Sequence, residues 1–158
     1  MKHLFFYRPL ISKISSQKNT VMYPMLVHSH SGLRWVVLLL LLAAIFNAGT
    51  KMGGKASYTD KDKRLGLFAL IFSHIQLVIG IALYFISPKV QAFRFFRMEH
   101  LGMMIIAIAL VTIGYSRAKR KADDAGKFKT TFWFYLIALL AILAGIPWPF
   151  MGYGSAWF

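Results

Sequence analysis

MLVHSHSGLRWVVLLLLLAAIF, residues 25–46, is the stretch that decides the fold. Residues 36–45 carry no polar side chain. They are the centre of an apolar segment over roughly 24–48, long enough for the about 20 residues of helix that cross a hydrocarbon core. Working outward, comparable segments run roughly over 65–86, 98–116 and 132–146. Ser87-Pro88 halts the second, and Pro147-Trp148-Pro149 ends the fourth, because each proline removes a backbone donor that lipid cannot replace. The expected fold is all-α: an integral membrane four-helix bundle in up-down-up-down order, since short connections make successive helices antiparallel neighbours.

The composition agrees. Of 158 residues 58% are hydrophobic and 15% charged, where soluble domains average about 45–50% and about 25%. Lys and Arg number 19 against 5 acids, but they sit between long apolar runs rather than on a polar surface. They read as membrane-flanking charge, with lipid as partner and no nucleic acid. A soluble enzyme is excluded on the same ground. The chain has no Cys, which removes disulfides, thiolate metal sites, Fe–S clusters and covalently attached c-type haem.

Charge also sets an orientation. The connection over 50–64 holds Lys51, Lys55, Lys61, Lys63 and Arg64 with Asp60 and Asp62. That over 117–129 holds Arg117, Lys119, Arg120, Lys121, Lys127 and Lys129 with Asp123 and Asp124. The intervening connection holds only Lys89, Arg94 and Arg97. The positive-inside rule therefore places 50–64 and 117–129 in the cytoplasm of a bacterial inner-membrane protein, with both termini outside. Trp35, Trp133, Trp148 and Trp157 suit an interfacial belt. Residues 1–22, with Lys2, Arg8, Lys13 and Lys18, conflict with an external N-terminus. They are read as a separate basic or disordered tail, with a start at Met22 or Met25 as the favoured explanation and a cytoplasmic tail with the reverse orientation as the alternative, and 23–158 as a single domain.

Ionisable groups inside spans are costly and mark function. The histidines beyond His3 are His28, His30, His74 and His100; Arg34 is the one cation well inside a span, and Glu99 the sole glutamate. At about 1.5 Å rise per residue, His28 or His30 on the first helix and His100 on the third lie at similar depths. The first and third helices of such a bundle are diagonal and parallel. Two imidazoles facing each other there can clamp a haem iron axially. His28 and His30 are about 200° apart on a helix and cannot both face inward; His30 is favoured because it is deeper and shares a face with Arg34. Arg34 would neutralise a haem propionate or pair with Glu99. Gly32, Gly80, Gly102 and Gly145 would leave room for a flat macrocycle.

His74, near mid-membrane, has no histidine at its own depth. With Ser73 and Gln76 it is read as an interhelical hydrogen-bond cluster, or, with Gln76 and Glu99, as a proton or quinone contact, or as an alternative axial ligand. Met22, Met25, Met103 and Met104 near the outer histidines form a copper-friendly set with imidazole, though Met is also ordinary membrane filler. No Ser-His-Asp or paired-carboxylate arrangement is present, so hydrolysis is unsupported.

The motifs His28-x-His30-Ser31-x-Leu33-Arg34-Trp35, His74-Ile75-Gln76-Leu77-x-x-Gly80, Tyr84-Phe85-x-Ser87-Pro88, Met98-Glu99-His100 and Ile146-Pro147-Trp148-Pro149-Phe150 together resemble a group of small bacterial four-helix membrane proteins labelled cytochrome b. The resemblance runs from about Met25 to Phe150 and implies haem b. A looser, architectural resemblance is to one four-helix half of haem A synthase, where histidines on diagonal helices bind a b-type haem. The leading expectation is thus a membrane b-type cytochrome with one bis-histidine haem near the outer face, an electron carrier rather than a stand-alone enzyme. It would exchange electrons with a quinol or a redox partner. The alternatives are a haem-free accessory subunit of a larger membrane complex, and a small transporter or copper-handling protein.

Overall fold

The computed structural model describes the backbone of residues 3–153 and the side chains of 22–153. It is all-helical: α1 (His3–Lys51), α2 (Asp60–Ile86), the short α3 (Pro88–Ala92), α4 (Leu101–Arg120) and α5 (Asp124–Gly145). A single π-helical turn, Phe96–His100, leads into α4, and a 3₁₀ turn, Pro149–Met151, follows α5. Four stretches are long and apolar enough to cross a bilayer: Met22–Lys51, Asp60–Ile86, Phe96–Arg120 and Asp124–Gly145.

The helices overrun the apolar segments at their polar ends. α5 begins eight residues before the expected 132, because Asp123 caps it by accepting the Gly126 N–H at 2.6 Å. α2 begins at Asp60 because the Asp62 carboxylate folds back onto the backbone N–H (2.8 Å) and hydroxyl (2.6 Å) of Thr59. Hydropathy does not register such caps, which satisfy orphan donors with polar groups. The backbone of α1 is continuous from His3, where the sequence reading has a separate tail to residue 22. No glycine precedes Gly32 to stop it, and Pro24 lies within the helix. The side chains at 1–21 and at Trp157 lie outside the described residues, and the expectations placed on them lie there too.

α1 packs on α2 and α5, and α4 on α5 and, less closely, α2. The four long helices therefore form a square, with α1 and α4 diagonal as expected. Each helix turns a heptad-spaced stripe inward. On α1 it is Val37, Leu41, Ala44 and Ala48; on α4, Ala107, Val111, Gly114 and Ala118; on α5, Phe128, Thr131, Tyr135, Ala138, Ile142 and Gly145. Such spacing keeps one seam facing the neighbours along a supercoiled bundle. The stripes are rich in Ala and Gly because lipid is as apolar as Leu. Membrane helices gain by close backbone approach rather than by hiding bulk from water. At Gly114 an added Cβ would lie 2.5 Å from that of Phe134. The outward positions Leu39 and Phe46 are 65% and 75% exposed, as expected for side chains that face acyl chains.

Two buried polar contacts fix the end of the bundle that carries the basic connections. Asp62 accepts from Asn47 Nδ2 at 2.7 Å and from the Lys51 ammonium, joining the end of α1 to the start of α2. Tyr135, fully buried on α5, donates its hydroxyl to the Gly66 carbonyl of α2 at 2.9 Å across the diagonal.

Candidate functional site

The inward stripe of α1 continues upward through Arg34 to His30, and that of α4 through Met104 to His100. The same packing that buries Leu41 and Val111 therefore turns these two histidines toward each other. Their ring centroids are 6.3 Å apart and their planes 72° apart.

His100 is held by α5. Its Nδ1 donates to the Gly145 carbonyl at 2.7 Å, which leaves Nε2 as the nitrogen with the free lone pair. That carbonyl is available for a reason legible in the covalent structure. Gly145 is the last residue of α5, and the residue four further on, which would donate to it in a continued helix, is Pro149. The same holds for Leu143 and Pro147, and the Leu143 carbonyl accepts from the Trp148 indole at 3.1 Å. Gly145 also permits the approach: a Cβ there would lie 2.7 Å from Met103 Cβ. The π-helical turn ends at His100, and such turns recur at functional sites because they re-aim one side chain.

His30 is held by α2. Gln76 donates its amide N–H to the His30 carbonyl at 2.8 Å. Gly80 lies directly behind the ring, so that a Cβ there would sit 3.1 Å from His30 Cε1. Two buried polar atoms, His30 Nδ1 and Gln76 Oε1, have no hydrogen-bond partner among the described residues. Both belong to a cavity of about 300 Å³ that the two imidazoles share with Tyr23, Arg34, Ser73 and Tyr84. Tyr23 and Ser87 close to 3.2 Å between their hydroxyls at its edge. Phe95 and Phe96 lie 6.4 and 6.2 Å from the His100 ring, and Tyr153 stacks on Phe95 at 4.6 Å.

Of the other residues singled out, Arg34 lines the cavity, with its guanidinium 5.2 Å from the Trp35 ring centroid. Glu99 instead faces Arg94, at 3.8 Å and exposed. His28 is an exposed residue at the cavity margin. Gln76 points in, but His74, two residues away and so on the opposite side of the helix, is exposed and bonds the Leu70 carbonyl of its own helix at 2.8 Å. Ser73 likewise bonds its own helix, at Ala69. Ser73, His74 and Gln76 therefore do not form the expected interhelical cluster; of the three, only Gln76 bonds across to another helix. Gly32 and Gly102 face open space and do not line the cavity, whereas Gly80 and Gly145 pack tightly on the site. Met22 and Met25 are exposed, while Met104 lines the cavity. Sequence reasoning gave Gly145 a space-making role and Pro149 a helix-ending one, but did not anticipate the Gly145 carbonyl as the partner of His100 or the π-helical turn; a proline four residues after a helix-terminal glycine is the signal that was available.

The spacing has a chemical meaning. Two imidazoles gripping one metal ion are separated by two metal–nitrogen bonds of about 2 Å and two half-rings, giving centroids about 6 Å apart. The observed 6.3 Å fits. Among the described residues no third His, Asp or Glu joins them. No protein-family model, curated protein or solved structure matches this chain. The class is therefore defined by the molecule itself: an all-α bundle with four helices long and apolar enough to span a bilayer, enclosing a cavity with two facing histidines.

Proposed function

We propose that this protein is a membrane b-type cytochrome that carries one haem between His30 and His100. The observation that supports it best is the facing pair itself, on diagonal helices at metal-bridging distance. Ligand number points the same way. A bare zinc or copper ion takes three or four protein ligands, whereas a porphyrin supplies four nitrogens and asks the protein only for two axial ones. Haem iron held by these two imidazoles would supply one-electron transfer rather than oxygen chemistry.

The chain's own residues divide the work. The Gly145 carbonyl orients His100 and raises its basicity, the usual part of a second hydrogen bond on a ligating imidazole. Gly80 admits the His30 ring, and Gln76 ties that turn of α1 to α2. Arg34 provides positive charge on the wall for a propionate, and Phe95, Phe96 and Tyr153 keep water from His100. A quinone in its quinol form is a second candidate ligand, its hydroxyl donating to the otherwise unpartnered Gln76 Oε1. By the positive-inside rule the basic connections lie in the cytoplasm of a bacterial inner membrane, which puts the haem near the outer face and its redox partner there.

The test is the optical spectrum of detergent-purified protein, oxidised and dithionite-reduced. Wild type should show a sharp reduced α-band that His30→Ala and His100→Ala each abolish and His28→Ala preserves. Absence of a Soret band from protein produced with ample haem would refute the cytochrome reading and leave a haem-free subunit of a larger membrane complex.

A further inference from the structure

At the opposite end of the bundle the first turns of α2 and α5 and the last turn of α4 surround a second cavity, of about 170 Å³, lined by Tyr58, Lys63, Tyr115, Lys119 and Lys127. Its charge is unbalanced. Lys127 pairs with Asp124 at 2.8 Å, while Lys63 and Lys119 have no ion pair among the described residues. Three lysines thus line the cavity, and no carboxylate is among its lining residues; the nearby Asp62 is already paired with Lys51. Lys63 and Lys127 also stand in the first turns of their helices, where the macrodipole is positive and a cation is disfavoured. Asp62 and Asp123 already cap those two helices, so an anion in the cavity would answer to the lysines that line it. Burial, with the Asp62 carboxylate nearby, pushes the Tyr58 phenol up to about 12. It therefore keeps its proton at neutral pH.

We propose that this cavity binds the phosphodiester headgroup of an anionic phospholipid. The volume has room for about five waters at about 30 Å³ each, enough for a phosphodiester and its glycerol link but not for acyl chains. Position favours a lipid over a soluble phosphate. The cavity lies where the apolar helices end, and exposed Phe68, Ile71 and Ile113 follow on α2 and α4 within about two turns of its lysines. The chains would lie along α2 and α4, the loosest pair of neighbours in the square. Basic pockets between membrane helices on the positively charged side are a known way of holding such headgroups. This inference is independent of what occupies the histidine cavity.

The test is native mass spectrometry of the full chain in detergent with added phosphatidylglycerol, phosphatidylcholine or inorganic phosphate. Wild type should retain phosphatidylglycerol over phosphatidylcholine. The double variant Lys63→Gln/Lys119→Gln should lose about 25-fold in that retention, since each lysine near a lipid surface contributes about fivefold. Lys121→Gln/Lys129→Gln removes the same charge from exposed positions outside the cavity and should retain the lipid as wild type does. Equal loss in both double variants would overturn the site in favour of diffuse basic attraction. Retention unchanged in Lys63→Gln/Lys119→Gln would overturn it outright. Displacement of the lipid by millimolar inorganic phosphate would overturn the lipid assignment in favour of a soluble anion.

Discussion

Gly80→Ala separates an imidazole gripped between a helix and a metal from one that merely borders a cavity. The added Cβ would lie 3.1 Å from His30 Cε1 and 3.7 Å from Nδ1, where carbon atoms rest comfortably at about 3.5–4.0 Å. The ring must retreat by about half an ångström. A metal–ligand bond tolerates about 0.2 Å, so in the haem-loaded protein the displacement strains the axial bond. An overpacking cost of about 1–3 kcal/mol corresponds to about 5- to 150-fold weaker haem retention. Without haem the ring can move into about 300 Å³ of cavity, and replacing a mid-helix glycine with alanine favours the helix by about 0.5–1 kcal/mol. The haem-depleted variant should therefore melt at or above the wild-type temperature, while the loaded one loses haem and shows a weakened reduced α-band. Haem content by pyridine haemochrome, reduced-minus-oxidised spectra and thermal unfolding of both forms provide the readouts. A loaded Gly80→Ala protein with wild-type haem content and an unaltered α-band would refute the claim that Gly80 and a metal confine His30 between them.

Other residues yield sharper single outcomes. His74→Ala should leave the spectrum unchanged and shift stability by less than about 0.5 kcal/mol, as expected of an exposed side chain bonded only to its own helix; loss of the α-band would place His74 in the site after all. Asp62→Ala removes a buried carboxylate that serves Asn47, Lys51 and Thr59 together, and should cost about 1–3 kcal/mol in detergent unfolding. Tyr135→Phe, which deletes one buried hydroxyl from a carbonyl that is already helical, should cost about 1 kcal/mol. If it cost more than Asp62→Ala, the diagonal contact would outrank the corner.

The number of long apolar helices, their order and their all-α character follow from residue lengths and hydropathy, because lipid leaves the backbone no other way to satisfy its polar groups. Ser87-Pro88 and Pro147 stop helices where the chain says they must, since a proline withholds its N–H in any tertiary context. The pairing of His30 with Arg34 on one face was equally legible, being a matter of helical pitch.

Rotation about each helix axis was not. Within 36–45 every residue is apolar, so nothing in the run distinguishes Leu41, fully buried, from Leu42, half exposed. Only the fit of Ala44 and Ala48 against neighbouring helices decides which leucines meet protein and which meet lipid. The same rotation sends His74 outward and Gln76 inward, and gives Gly80 rather than Gly32 the task of making room. Local sequence determined what each segment is, through forces that act over one or two turns. Tertiary packing decided which side chains meet, because in a bilayer inward and outward faces are nearly equal in hydrophobicity and differ chiefly in how closely they let backbones approach.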